Sequence, residues 1–169
     1  MEELNILNIL RDISIAFIIG FCWAILFGSP KKLLWVAGLL GGMGHCIRFI
    51  LIQLDFGLIT ATLAGSIAIG LAGIYAAHKV DSPPVVFTMP ACITMIPGMF
   101  AYKTMLAGIK ITDIATIEQN PHILAEMTHN LMLTMSLLFT LAIGICIGAL
   151  LFRKPSVKNI SFKDVIGKK

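Results

Sequence analysis

Along the chain, apolar residues gather into five long runs separated by short polar, glycine or proline breaks. A hydrocarbon layer about 30 Å thick takes roughly 20 helical residues at about 1.5 Å each, so runs of this length predict membrane-crossing helices. The first runs from Ile13 to Phe27, with a possible earlier start in the Leu4 to Leu10 stretch; Gly28-Ser29-Pro30 closes it and Lys31-Lys32 marks the interface. The second covers Leu33 to Leu54, the third Leu58 to Ala77, and the fourth Val85 to about Ala107. The fifth, Pro121 to Phe152, exceeds a span. Asn120-Pro121 suits its start, because Asn accepts at an N-cap and Pro fits the first helical position, where no intrahelical N–H bond is needed. His122, Glu126, His129 and Asn130 then place its first turns at the interface or against a partner, leaving Leu131 to Phe152 to span.

The expected fold is an all-α polytopic membrane helical bundle of five transmembrane segments, the fourth broken by proline. Pro90 and Pro97 each remove a backbone donor and crowd the carbonyl one turn back, so the fourth segment should kink or open around them. Charge asymmetry supports the count. With five spans, Lys31-Lys32, His78-Lys79 and the basic tail (Arg153, Lys154, Lys158, Lys163, Lys168, Lys169) share the cytoplasmic side. Asp55 and the 108–120 link, with Lys110, Asp113 and Glu118, then face outward, as does the N-terminus. The alternative skips the second run because it holds Arg48, giving four spans with both ends inside and Lys31-Lys32 outside. Residues 1–155 form one membrane domain and 156–169 a basic cytoplasmic tail. Glu2-Glu3, without a basic region or a small-residue cleavage pattern, reads as the start of a retained helix.

Composition sharpens the class. Of 169 residues, 57% are hydrophobic and only 13% charged, where a soluble domain carries about 25% charged. The formal net charge of +4 does not indicate nucleic acid, since the basic residues lie in a tail and not in a folded patch. Cys22, Cys46, Cys92 and Cys146 lack the close pairing of zinc or redox motifs and are expected as small core residues. With no phosphate loop, nucleophile elbow or paired carboxylates, the chain offers no ATPase or hydrolase site, and neither a metal nor a cofactor is expected.

The polar residues inside the apolar runs carry the functional expectation. An Arg in hydrocarbon costs roughly 2.5–3.5 kcal/mol on insertion scales and persists mainly where it lines a bundle interior or a path. Arg48 and His45, three residues apart, share a helix face. Arg48 offers a fork of donors to a carboxylate, and His45 can take or give a proton. No Asp or Glu falls within the five runs' expected membrane cores, which leaves His45 or a partner to carry a proton if transport is coupled to one. The structural alternative is that Arg48 snorkels over the roughly 10 Å to the membrane edge near Asp55 while His45 merely packs. Gly38, Gly42 and Gly44 are expected at close helix contacts, the first two at G-x-x-x-G spacing. In the stretch from Pro90 to Gly98, opened backbone at membrane depth would line a cavity. Thr94, Pro97, Gly98 and Tyr102 are its candidate substrate or gating residues, with Lys103 either a second cation or an anchor. His122, Glu126 and His129 can share a face as a relay or gate.

The segment Leu40-Gly41-Gly42-Met43-Gly44-His45-Cys46-Ile47-Arg48, followed by Val86-Phe87-Thr88, Pro90, Ile96-Pro97-Gly98-Met99-Phe100-Ala101-Tyr102-Lys103 and Lys110-Ile111, resembles the small membrane subunit of the threonine/serine exporter family, the YjjB-like proteins. The resemblance covers roughly residues 10 to 155. In that family two hydrophobic halves occur in one chain or as separate proteins, and this chain resembles the C-terminal half. The resemblance implies a bacterial inner-membrane exporter that needs a larger membrane subunit resembling the N-terminal half. It implies substrates among small amino acids such as threonine and serine, or dicarboxylates such as succinate. Gly44, His45, Arg48, Pro97, Gly98 and Tyr102 carry the family motif. Self-association is open, as are two rival readings: a non-transporting accessory subunit, and a lipid-modifying membrane enzyme for which the sequence offers poor nucleophiles.

Overall fold

A computed structural model describes residues 6–112, 117–118 and 120–151. The tail expected at 156–169 and Asp113 of the polar link lie outside the described residues. The described chain is helical: α1 (Ile6–Leu26), α2 (Lys31–Gln53), α3 (Leu58–Val80), α4 (Val85–Ile93), α5 (Gly98–Lys110) and α6 (His122–Leu151). Four of these are long and apolar enough to cross a membrane, and α4 with α5 forms a fifth candidate bent by 60°. Large apolar side chains such as Leu26, Trp35, Met132 and Phe139 point outward along them, as expected where the solvent is lipid. The connections are tight. Gly28 takes a left-handed backbone at φ 68° after α1, and Asp55 and Asp81 do so at 61° and 52° after α2 and α3. Asp tolerates this region better than most side chains because its short carboxylate can bond locally.

Helix α2 is the centre of the bundle, and its glycines set the spacing. At Gly38 a methyl group would lie 2.8 Å from the Phe17 ring and 3.1 Å from the Phe17 carbonyl oxygen on α1. Gly42 faces Ile13 at 3.4 Å, and Gly44 faces Ile69 and the Gly65 carbonyl on α3. All three glycines expected at helix contacts therefore sit at them. Buried Leu33, Ala37, Leu40, Ile69, Phe87, Ala91 and Met95 fill the space between α2, α3 and α4. Of the four cysteines only Cys92 is buried; Cys22 and Cys146 lie on the outer surface, so small size did not bring them into the core.

The contact register also fixes helix directions. Ile13, Ala16 and Phe17 of α1 meet Gly42, Gly41 and Gly38 in turn, an antiparallel pair. Helix α6 instead runs parallel to α3: Ser66 packs on Gly144 and bonds the Thr140 carbonyl, and one turn later Gly70 meets Gly144, Ile145 and Gly148. Two parallel helices separated by one segment require that segment to return across the layer. With α4 rising about 13 Å, α5 about 10 Å at its 60° inclination, and four residues between them, α4 and α5 together match a layer of about 30 Å.

The two prolines of this segment differ in effect. Pro90 lies inside a continuous α4, where the sequence pattern predicts a kink. Its missing N–H frees the carbonyl of Val86, and the Ser29 hydroxyl from the α1–α2 turn donates to that oxygen at 3.1 Å. The chain breaks only at 94–97, ahead of α5.

Candidate functional site

His45 and Arg48 lie on one face of α2, three residues apart. Helical side chains lean toward the N-terminus of their own helix, so Arg48 is directed back along α2 and away from its nearer end at Gln53. It follows that lean. Its Nη1 donates to the Met95 carbonyl at 3.1 Å, and Met95 sits where Gly65 of α3 meets Gly44 of α2, about one turn deeper than Arg48. Arg48 therefore does not snorkel. It points into the bundle and holds a carbonyl that the α4–α5 break has released, since the Met99 N–H, which a continuous helix would aim at that oxygen, makes no bond to it.

His45 is paired with a residue that the apolar pattern leaves out. The Asp12 Oδ2 on α1 accepts from His45 Nδ1 at 2.8 Å, with the two side chains 33% and 25% exposed. Asp12 also lies within electrostatic reach of the Arg48 guanidinium. A first run that starts at Ile13 excludes this acid, and with it goes the expectation that no Asp or Glu stands in a membrane core. Helix α1 begins at Ile6, and its spanning stretch, Ile9–Leu26, contains Asp12. A signal for it is present in the sequence: Asp12 precedes Ile13, Ala16 and Gly20, the face of α1 on which the α2 glycines pack, so helical periodicity points Asp12 toward α2 as well.

The break itself is turn-like. The Met95 N–H donates to Cys92 O, Ile96 to Ile93 O and Gly98 to Ile96 O, and Pro97 takes ψ 60° before α5 begins. Thr94 and Gly98, candidate substrate or gating residues, have spent their donors: the Thr94 hydroxyl donates to Ala91 O at 2.8 Å and the Gly98 N–H to Ile96 O at 2.8 Å. Among the described residues the Met99 and Phe100 amides have no backbone acceptor outside α5, so the free donors lie one and two residues past the glycine. Gly98 is exposed, with nothing near the position of an added methyl group. Pro97 is buried and half-buried Thr94 touches Gly41 of α2, which ties the break to the α2 face carrying the ionic residues.

Other expected residues lie elsewhere. Tyr102 and Lys103 are exposed on α5, whose main neighbour is α6, so the structure does not bring them to His45 and Arg48. His122 and Glu126 line an open cleft with Lys110, Asn120 and Ile123 where α5 ends and α6 begins. His129 is exposed outside that lining, and among the described residues no cluster of three metal-ligating side chains forms.

What the arrangement can do follows from its parts. An acid, an imidazole and a guanidinium from α1 and α2 stand beside a released carbonyl at the level of Gly44, a little past the middle of α2. They are half-buried and in contact with an opened span, a setting in which charge is retained in a bilayer to meet a polar solute.

Comparison with known proteins agrees with this membrane reading. A protein of Haemophilus influenzae, described only as uncharacterised, is 29% identical over 153 residues. The match covers 89% of this chain and 50% of that protein, so the chain spans about half the length of the curated relative it matches. No solved structure matches it. Residues 12–151 match the family model described as threonine/serine exporter, ThrE, a stretch that opens on Asp12 and takes in α2 to α6. With its all-helical multi-pass architecture and a match over most of its length, the chain belongs to the threonine/serine exporter family.

Proposed function

We propose that this chain is one subunit of a two-component secondary exporter that moves small carboxylate-bearing metabolites, threonine and serine or dicarboxylates such as succinate, out of the cytoplasm. The observation that carries the reading is Arg48, aimed inward and bound to a carbonyl of an opened span, with four further N–H donors on its guanidinium. A substrate carboxylate reaches those donors while the amides of Met99 and Phe100 offer neutral ones. Rocking of the α4–α5 segment against the α1–α2 pair alternates access. The drive is an ion gradient, and His45 with Asp12 supplies groups able to carry a proton.

The half-length match to the Haemophilus protein supports a second membrane module that provides the other half, and the family resemblance makes that partner the larger subunit. In this reading the protein sits in the bacterial inner membrane with Lys31-Lys32, His78-Lys79 and the C-terminus on the cytoplasmic side. The test is efflux of labelled threonine and succinate from cells carrying this chain, its larger partner, or both. Export only with both subunits supports the reading, and no export of either solute by the pair defeats it.

A second reading, in which the chain only stabilises a partner that holds the whole pathway, draws on the exposure of Tyr102 and Lys103, which suits a covered face better than a lipid one. Single cysteines at 94–102 in a background without the native four separate the two. Protection from an impermeant thiol reagent by substrate places these residues beside the path; labelling that substrate leaves unchanged favours the accessory role.

A further inference from the structure

The ionic residues on the facing sides of α1 and α2 carry opposite charges, and this narrows the solute. We infer that Asp12 is a specificity-determining residue that binds the ammonium of a zwitterionic α-amino acid while Arg48 binds its carboxylate. The inference rests on the exporter reading and names the substrate class of the same site.

Three observations lead there. Asp12 uses one carboxylate oxygen toward His45, and among the described residues its other oxygen has no partner. Arg48 uses one donor toward Met95 and keeps the rest. The two side chains feel each other's charge without forming an ion pair at contact distance, since the one short ionic contact of Asp12 among the described residues is to His45. An acceptor and a donor fork of opposite sign, held apart on neighbouring helices and each partly unsatisfied, complement a small molecule that carries both signs.

A dicarboxylate meets the same site less well. Its first carboxylate is welcomed by Arg48, but its second negative charge adds to that of Asp12, and like charges at short range in a poorly screened setting repel strongly. His45 bonds Asp12 from the side and fixes its orientation, which makes it a positioning residue. The partial exposure of Asp12 and His45, 33% and 25%, leaves a face of the pair open to a solute.

The experiment is equilibrium binding of labelled L-threonine and succinate to the chain with its larger partner in lipid nanodiscs, with export of both measured in parallel. The parent should bind threonine at least tenfold more tightly than succinate. Asp12→Asn should lower threonine binding tenfold or more while succinate binding holds or rises, and Asp12→Glu should retain the threonine preference. On the unmodified protein, N-acetyl-threonine, which lacks the ammonium, should bind at least tenfold more weakly than threonine, an arm independent of how any variant folds. Loss of both solutes in equal measure on Asp12→Asn, equal binding of threonine and its N-acetyl form, or no threonine binding by the parent would overturn the inference. Threonine-selective binding without export would instead defeat the exporter reading and leave the role of Asp12 standing.

Discussion

Pro90 and Pro97 lie in one apolar segment, and their surroundings, more than their chemistry, separate what they do. At Pro90 the carbonyl deprived of its donor is met by a hydroxyl from a neighbouring turn, and α4 continues through it. Around Pro97 the carbonyl deprived of its donor is that of Ile93, which is met by the Ile96 N–H of a tighter turn. The chain turns by 60°, and the Met95 carbonyl opened by that turn is met by a cation from α2. A neutral hydroxyl repairs a helix at little cost in solvation. A guanidinium inside the bundle stabilises the opening but needs company, and Asp12 and His45 stand beside it. The lesson is that a proline in a membrane segment offers a break, and the partner of the freed carbonyl decides whether the break is taken.

The largest effect expected from this contrast is at Arg48. Arg48→Leu should leave membrane insertion intact or improved and reduce export about 100-fold, equivalent to roughly 3 kcal/mol, the upper range for a hydrogen bond to a charged group. Arg48→Lys keeps the charge without the fork and should fall between, near a tenfold loss. Export at the parental rate in Arg48→Leu cells would make the residue a structural staple only.

Next in size is the packing beneath the break. At Gly65 a methyl group would lie 2.8 Å from the Gly44 carbonyl and 2.6 Å from the Met95 methyl. Gly65→Ala should therefore push α2 from α3 and lower stability by about 1–3 kcal/mol, measured by unfolding in detergent. An unchanged midpoint would mean that the helices have room to slide.

A smaller effect tests the repaired proline. Ser29→Ala should cost about 1 kcal/mol, the usual net worth of one hydrogen bond, and should cost less in a Pro90→Ala background, where the new alanine restores an N–H for the Val86 carbonyl. Equal costs in both backgrounds would show that the hydroxyl does not compensate for the proline. Smallest of all, Lys103→Gln on the exposed face of α5 should change export by less than about twofold. A larger change would place α5 against the partner subunit or the pathway.

Much of this was legible in the residues, for reasons of length and solvent. Helices that lipid surrounds must be apolar all round and long enough to cross, so the second and third runs, Leu33 to Leu54 and Leu58 to Ala77, foreshadow α2 and α3 to within a few residues. Gly38, Gly42 and Gly44 were also readable, because close approach needs small residues at helical spacing. Asp12 escapes a hydropathy reading, although helical periodicity points to it, since a run defined by hydropathy stops at the first charged residue even when the helix does not. The continuity of α4 through Pro90 was hidden for another reason: its repair comes from Ser29, remote in sequence, and local pattern holds no record of such a contact.

The parallel alignment of α3 and α6 has a consequence for gene architecture. An odd number of crossings leaves the start of α1 and the end of α6 on opposite faces of the bilayer, so a second module of the same design fused directly behind the first would enter the membrane upside down. Two such modules facing each other would be related by a pseudo-twofold axis in the membrane plane, which turns an inward-open pose of one into an outward-open pose of the other. A chain of twice this length could thus obtain both of its access states from one set of helix contacts by duplication alone.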